Sequence, residues 1–190
     1  MSSKQSRKRR VRVDAPRPGK QPVAEPAVDE IVEAAECACP RLDLDDWHEV
    51  ESDWSDIQFL KSALTALAGV PIGFAGAREK LANEAVALGM AIPESPMLLL
   101  GEGRFRRPVL LEVETEIEHP RLIRPGGFTW SRVLPASFGQ IKNLAAETRQ
   151  LAEERFGRAP EHFWVWYLTC AVCSEARNWE TMFVAHYRDA

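Results

Sequence analysis

RPVLLEVETEIE, residues 107–118, is the stretch around which the rest of the chain is organised. Apolar side chains at even steps begin at Val109, and three glutamates occupy alternate positions: Glu112, Glu114 and Glu116. Because side chains alternate between the two faces of a β-strand, this pattern predicts one strand with an apolar face and a row of carboxylates. The carboxylate face is either the solvated side of an antiparallel sheet or the lining of a ligand groove.

Two helices and further strands are predicted on either side. Apolar residues recur at helical spacing over residues 73–88 and 138–156, and a Gly and then a Pro follow each helix. Strands are predicted at residues 57–70, 97–100, 122–134, 162–170 and 181–188, and a short helix at 28–37. The order strand, helix, strand, strand occurs twice, which predicts duplicated βαββ units. We expect an α+β domain whose antiparallel sheet carries two helices on one face and a ligand groove on the other.

Charge divides the chain into a tail and a body. Residues 1–25 hold eight Lys or Arg against two acidic residues, so the remaining chain is acidic although the net charge is only −4. The composition of residues 1–26 predicts a disordered basic tail, which either contacts nucleic acid or only keeps the protein soluble. Residues 27–190 are predicted to form one domain. Its acidity argues against DNA binding by the body, and no apolar run is long enough for a membrane span.

Tryptophan is overrepresented, with six indoles in 190 residues. Trp47 and Trp54 lie in an acidic loop, and a dense aromatic strand carries Trp164 and Trp166. Indoles beside carboxylates on a sheet face are typical of a pocket for a flat ligand, although they also serve as core filler. We therefore predict substrate-binding roles for Glu112, Trp130, Trp164, Trp166 and His186.

The four cysteines form two close pairs, Cys37-x-Cys39 and Cys170-x-x-Cys173. Four thiolates are what a structural tetrahedral zinc site requires, if the fold brings the distant pairs together. The alternative is a set of free buried thiols. Four thiolates would leave no open position on a metal, so we expect no cofactor for catalysis. The cysteine content fits a reducing, cytoplasmic setting at least as well as a secreted one.

The duplicated βαββ pattern resembles the GyrI-like small-molecule-binding domain superfamily. A subgroup combines Cys-x-Cys-Pro, an acidic tryptophan loop, Val-Leu-x-Glu-x-Glu and an aromatic strand ending in Thr-Cys-x-x-Cys. This chain carries those motifs between residues 37 and 173, with Ala-Val inside the last one, where many relatives have a Pro. The subgroup is similar to the cyclopropanoid cyclic hydrolases, which add water to the strained ring of DNA-alkylating natural products of the yatakemycin and duocarmycin type and so give self-resistance.

This resemblance implies a hydrolase with a carboxylate base and a hydrogen-bond donor for the developing phenolate. Glu114 is the first candidate for the base, with Glu112 and Glu116 as the other candidates. Tyr167 is the candidate donor, although strand alternation places it opposite Trp164 and Trp166. Tyr187 and His186 are the alternative donors.

A second class of function fits the same pattern, a non-catalytic module that senses or sequesters a drug. In that case the carboxylates would pair with a cationic ligand. The expected partner is a flat aromatic small molecule, without membrane contact, and with nucleic acid only through the basic tail. The sequence leaves monomer and homodimer open.

Overall fold

The computed structural model describes Cys37 and residues 39–188. The predicted tail at 1–26 and the predicted helix at 28–37 therefore lie almost wholly outside the described residues. Twelve elements follow one another along the described chain: α1 (Leu44–Trp47), β1 (Val50–Asp53), β2 (Phe59–Leu67), β3 (Val70–Pro71), α2 (Phe74–Ala87), β4 (Leu98–Gly101), β5 (Arg106–Glu112), β6 (Leu122–Ile123), β7 (Phe128–Pro135), α3 (Ile141–Phe156), β8 (His162–Tyr167) and β9 (Glu180–Tyr187).

The strands form one antiparallel sheet in the order β1-β7-β9-β8-β4-β5-β2-β3, with β6 beside β2. The unit β2-α2-β4-β5 in the first half corresponds to β7-α3-β8-β9 in the second. Strands β4 and β8 meet at the centre, where Leu100 lies opposite Val165 and Gly101 opposite Trp164. The α+β class predicted from the sequence is confirmed, and the strand order agrees with two βαββ units related by an approximate twofold axis.

Both helices pack on one face of the sheet. Val109 lies opposite Leu100, which lies opposite Val165, so these three side chains share a face. Ala77 and Leu81 of α2 lie over Val109, and α3 packs with Val165 in a second apolar cluster. We call this the helix face and the opposite side the helix-free face. Among the described residues, no helix is both long and apolar enough to cross a bilayer.

The predicted strand at 107–118 is too long at its carboxyl end. Strand β5 stops at Glu112, and only an isolated bridge between Ala91 and Glu114 continues the pairing. The neighbours β2 and β4 begin opposite this point, at Phe59 and Leu98, so the chain beyond has no partner strand. Within β5 the carboxylate face is not the solvated side of the sheet, because Leu110 on that face is buried.

Three further predicted boundaries are wrong. The predicted strand at 122–134 is two strands, β6 and β7, separated by Gly126 and Gly127 with φ of 66° and 63°. The predicted strand at 57–70 turns at residues 68–69 into β3. The helix predicted at residues 138–156 begins only at Ile141, and Phe138, the first apolar residue of the predicted stripe, is exposed. The acidic tryptophan loop contains α1 and β1, and β1 extends the sheet beside β7.

Gly127 offers a direct stability test. A Cβ there would lie 2.1 Å from the carbonyl oxygen of Tyr187, on a backbone that L residues rarely adopt. We expect Gly127→Ala to lower the free energy of unfolding by about 2–4 kcal/mol, from strain and overpacking. Gly76→Ala is the matched control, since nothing lies within 4 Å of its Cβ position in α2. It should raise stability by up to about 1 kcal/mol. Urea unfolding of both variants measures the difference, and equal effects would contradict the packing described.

Candidate functional site

The helix-free face carries most of the predicted binding residues. Trp164 and Trp166 of β8 point to this side, and their partners on β9 are Val184 and Met182. His186 lies on the same face, opposite His162. The structure therefore places Trp164, Trp166 and His186 on one face of the sheet.

The segment of residues 40–54, called here the covering segment, packs over this face. The ring of Trp54 stacks on Trp164 with centroids 5.6 Å apart and planes 13° from parallel. Trp47 meets Trp166 edge-on at 6.3 Å. Trp54 also lies 5.3 Å from the ring of Phe59. Because both indoles of the segment are buried, the predicted ligand groove is filled here by side chains of the chain itself.

Hydrogen bonds to β7 and to the turn before it fix the covering segment. The hydroxyl of Ser131 donates to the carbonyl of Trp47 at 2.7 Å, and the amide of Trp54 donates to the carbonyl of Gly127 at 2.9 Å. The imidazole Nδ1 of His48 lies 2.8 Å from the carbonyl oxygen of Val133. The segment is therefore part of the folded sheet rather than a loose flap.

One ring nitrogen of His186 has a hydrogen-bond partner, and the other has none among the described residues. Its Nε2 lies 2.9 Å from the carbonyl oxygen of Gly126, which can only accept, so Nε2 carries the proton. Its Nδ1 is then an acceptor, and within the described chain it is buried without a hydrogen-bond partner. Burial lowers the pKa of His186, and the neighbouring His162, whose ring lies 5.6 Å away, adds to this effect. A neutral imidazole with a free acceptor is chemically suited to accept a proton from water.

Glu112 is the one carboxylate of the predicted row that belongs to the sheet. Its side chain accepts a hydrogen bond from the amide of Met97 at 2.9 Å, and it lies opposite Phe59 in the register. Burial raises the pKa of Glu112, and the nearby Glu114 carboxylate raises it further. The pKa of this carboxyl is therefore raised, and perturbed pKa values of this kind are common among general acids and bases.

The other two glutamates are exposed. Glu114 lies beyond the end of β5, and Glu116 lies in the following loop. Side-chain alternation predicted a common face for the three glutamates, but it applies only within β5, which ends at Glu112.

Both tyrosines lie on the helix face. The ring of Tyr167 meets Phe74 of α2 edge-on at 5.3 Å, and burial raises its pKa against the opposing effect of Arg107. Tyr187 stacks on Phe128 at 5.1 Å, and its buried hydroxyl has no hydrogen-bond partner in the described residues. The objection raised by strand alternation is therefore correct: neither candidate hydroxyl points to the side of Trp164.

Trp130 also faces away from the other predicted binding residues. It lies opposite Ala185 on the helix face. There it lines an open depression of about 370 Å³, together with Glu49, Leu151, Glu154 and Arg155. Its indole nitrogen is buried without a partner in the described chain. A ligand on Trp164 would not touch Trp130.

The four cysteines converge at the end of β8. Their four Sγ atoms all lie within 4.8 Å of one another, and those of Cys170 and Cys173 are 3.8 Å apart. The backbone amides of Cys173 and Val172 donate to the Cys170 sulfur, which lowers the pKa of that thiol to about 7. Sequence reasoning predicted the cysteines but missed Arg177, which donates to the carbonyl oxygens of Leu168 and Pro40 beside the cluster.

A family model described as "Bacterial hydrolase" matches residues 28–186. No curated protein matches the chain.

The buried neutral His186 predicts a pH-dependent stability. As the pH falls below about 6.5, an unfolded histidine binds a proton that the folded His186, with its lowered pKa, does not bind. The free energy of unfolding should therefore fall with falling pH, by at most about 1.4 kcal/mol per pH unit for this group. In His186→Gln this dependence between pH 8 and pH 5 should be smaller. His119→Gln is the control. Glu112, whose raised pKa contributes a pH dependence of stability with the opposite sign, is present in all three proteins and does not affect the comparison. Equal slopes in urea unfolding would overturn the assignment.

Proposed function

The chain belongs to the bacterial hydrolase family, and from this premise we propose that it hydrolyses the cyclopropane ring of flat, DNA-alkylating natural products. The resemblance to the GyrI-like superfamily and its cyclopropanoid hydrolases supports this substrate class. The observation that carries the proposal is the combination on the helix-free face of stacked indoles with the unpartnered Nδ1 of His186. Such an enzyme would protect a cell from a genotoxin.

The proposed reaction adds one water to a cyclopropane fused to a cyclohexadienone. The water oxygen bonds to the less substituted ring carbon, and the strained carbon–carbon bond breaks. Its electron pair moves through the ring to the carbonyl oxygen, which becomes a phenolate. One proton of the water passes to the base and finally to the phenolate, so the product is the substrate plus one water. No redox partner is needed.

The proposed seat for the flat substrate is the place of the Trp54 ring. That ring already stacks almost parallel on Trp164, so this slot accepts a planar aromatic group. Phe59 and His186 border the same ring, with centroids 5.3 Å and 6.1 Å from it. Rotation of the Trp54 side chain would free a slot lined by three rings and one proton acceptor.

Two groups are proposed for the base. His186 is the first, because its ring borders the slot and its Nδ1 has no hydrogen-bond partner among the described residues. Glu112 is the second, since its carboxylate keeps acceptor capacity beside the one bond from Met97. Glu114, the first candidate from the sequence, is exposed and remains a candidate that the same variants test.

A second function, stoichiometric binding without turnover, is favoured by one observation. Both tyrosine hydroxyls lie on the helix face, so neither described tyrosine would stabilise a phenolate in the slot. A protein that binds and holds the drug needs no such donor. Turnover separates the two functions.

The main test incubates a small amount of the full-length protein with an excess of a duocarmycin-type cyclopropane and follows the product by mass spectrometry. We expect a mass gain of one water in many equivalents of substrate. His186→Gln should reduce the rate by about 10²-fold or more, as expected for loss of a general base. Glu79→Gln, which alters an exposed carboxylate on α2 outside the predicted site, is the control and should leave the rate unchanged. Product formation limited to one equivalent, or none despite binding, would replace the hydrolase with the binding function.

Glu112→Gln and Glu114→Gln decide between the bases in the same assay. A loss confined to Glu114→Gln would return the role to the exposed glutamate and overturn the assignment to His186.

Binding can be separated from chemistry with two tryptophan variants. Trp164→Phe should weaken binding of the cyclopropane about tenfold, because a smaller ring stacks less well. Trp130→Phe, which removes an indole from the opposite face, should leave affinity unchanged. Isothermal titration calorimetry at a temperature where both variants are folded gives the two dissociation constants. Equal losses would contradict a ligand seat on the helix-free face.

A further inference from the structure

We propose that Cys37, Cys39, Cys170 and Cys173 hold a structural zinc ion that fastens the start of the covering segment to the β8–β9 connection. The four sulfurs converge from chain positions about 130 residues apart, and all lie within 4.8 Å of one another. This inference stands on the sulfur geometry and does not depend on the proposed hydrolase.

The sulfur separations fit a shared metal better than disulfides. A zinc–sulfur bond of about 2.3 Å in a tetrahedron puts neighbouring sulfurs about 3.8 Å apart. The Sγ atoms of Cys170 and Cys173 are 3.8 Å apart, whereas a disulfide requires about 2.05 Å. All four cysteines of the chain take part, so no thiol remains for another role. Sulfur-only tetrahedral sites select zinc or iron among the common metals.

The surroundings complete the site. Four thiolates and one Zn²⁺ carry a net charge of about −2, which a nearby cation would stabilise. The guanidinium of Arg177 is the candidate cation, since the backbone amide of this residue donates to the carbonyl of Cys173 at 3.1 Å. It also donates to the carbonyls of Pro40 at 2.9 Å and Leu168 at 3.2 Å, and pairs with Glu180 at 2.5 Å. Arg177 therefore links the segment that carries Cys39 to the segment that carries Cys173, as the metal would.

Four thiolates leave no position for water or substrate, so the role of the metal is structural. The position of the site shows which segments the metal would hold together. Pro40 directly follows Cys39 and opens the covering segment, whose Trp47 packs on Trp166. Trp166 lies near the end of β8, and Leu168 and Cys170 follow directly after the strand. Loss of the metal should therefore loosen residues 39–48 and leave the sheet, including the pairing of β1 with β7, in place.

Metal content is the first measurement. Elemental analysis by mass spectrometry of the full-length protein, purified under reducing conditions, should give one zinc per chain. Cobalt substitution should give the sulfur-to-cobalt charge-transfer band and the strong visible bands of a tetrahedral thiolate site. Cys170→Ser should lower the zinc content at least fivefold and abolish those bands. Val172→Ala, an exposed change between two ligands, is the matched control and should retain both.

Hydrogen exchange supplies a readout that is independent of catalysis. In Cys170→Ser, peptides from residues 39–48 should exchange faster than in Val172→Ala, while peptides from β8 and β9 should remain protected. If Cys170→Ser fails to fold, removal of zinc from the unmodified chain with a chelator gives the same comparison.

Three results would overturn the proposal. Iron in place of zinc would refute the identity of the metal. A metal-free protein whose four thiols all react with a thiol reagent in the folded state would refute the site. A mass lower by two hydrogens per cysteine pair, under the same reducing conditions, would identify disulfides instead. None of these results bears on cyclopropane hydrolysis, so the two proposals fail separately.

Discussion

The short antiparallel contact between β4 and β8 is the interaction on which the rest of the structure depends. Only two residue pairs form it, Leu100 with Val165 and Gly101 with Trp164, yet it joins the two halves of the sheet. A side chain at Gly101 would collide with Pro108 and press on the Trp164 indole. Because Gly101 has no side chain, the indole of Trp164 can lie across the contact between β4 and β8. The central position of Trp164, and with it the stacking of Trp54, follows from this pairing.

Local sequence patterns were sufficient for the fold class and for most elements. Helical spacing located α2 and α3, and the repeated order of elements predicted the duplication. The wrong predictions concern strands whose existence or ends depend on a neighbouring strand. Strand β5 ends at Glu112 because its neighbours begin there, and β1 is recognisable only as the partner of β7. Leu110, on the helix-free face, belongs to the same buried cluster as Trp47 and Trp54, which alternation along β5 cannot reveal.

The candidate site could be predicted only where local sequence patterns fix the position of a side chain. Trp164, Trp166 and His186 share a face because alternation along β8 and β9 fixes it. The cysteines were evident from their spacing. Trp130 was misplaced because the face that β7 presents depends on its register with β9, which is tertiary information. The free Nδ1 of His186 was beyond sequence reasoning, since it depends on a carbonyl supplied by the left-handed Gly126, distant in the chain.

The covering segment limits how the helix-free face can open. Arg177 holds it at Pro40, Ser131 holds it at Trp47, and β1 pairs with β7 up to Asp53. A ligand that removed the whole segment would break the sheet edge, whereas rotation of the Trp54 ring breaks no backbone hydrogen bond. On the proposed function, the slot therefore opens by one side chain. Burial beneath that ring also keeps His186 neutral, so the packing that closes the face prepares its proton acceptor.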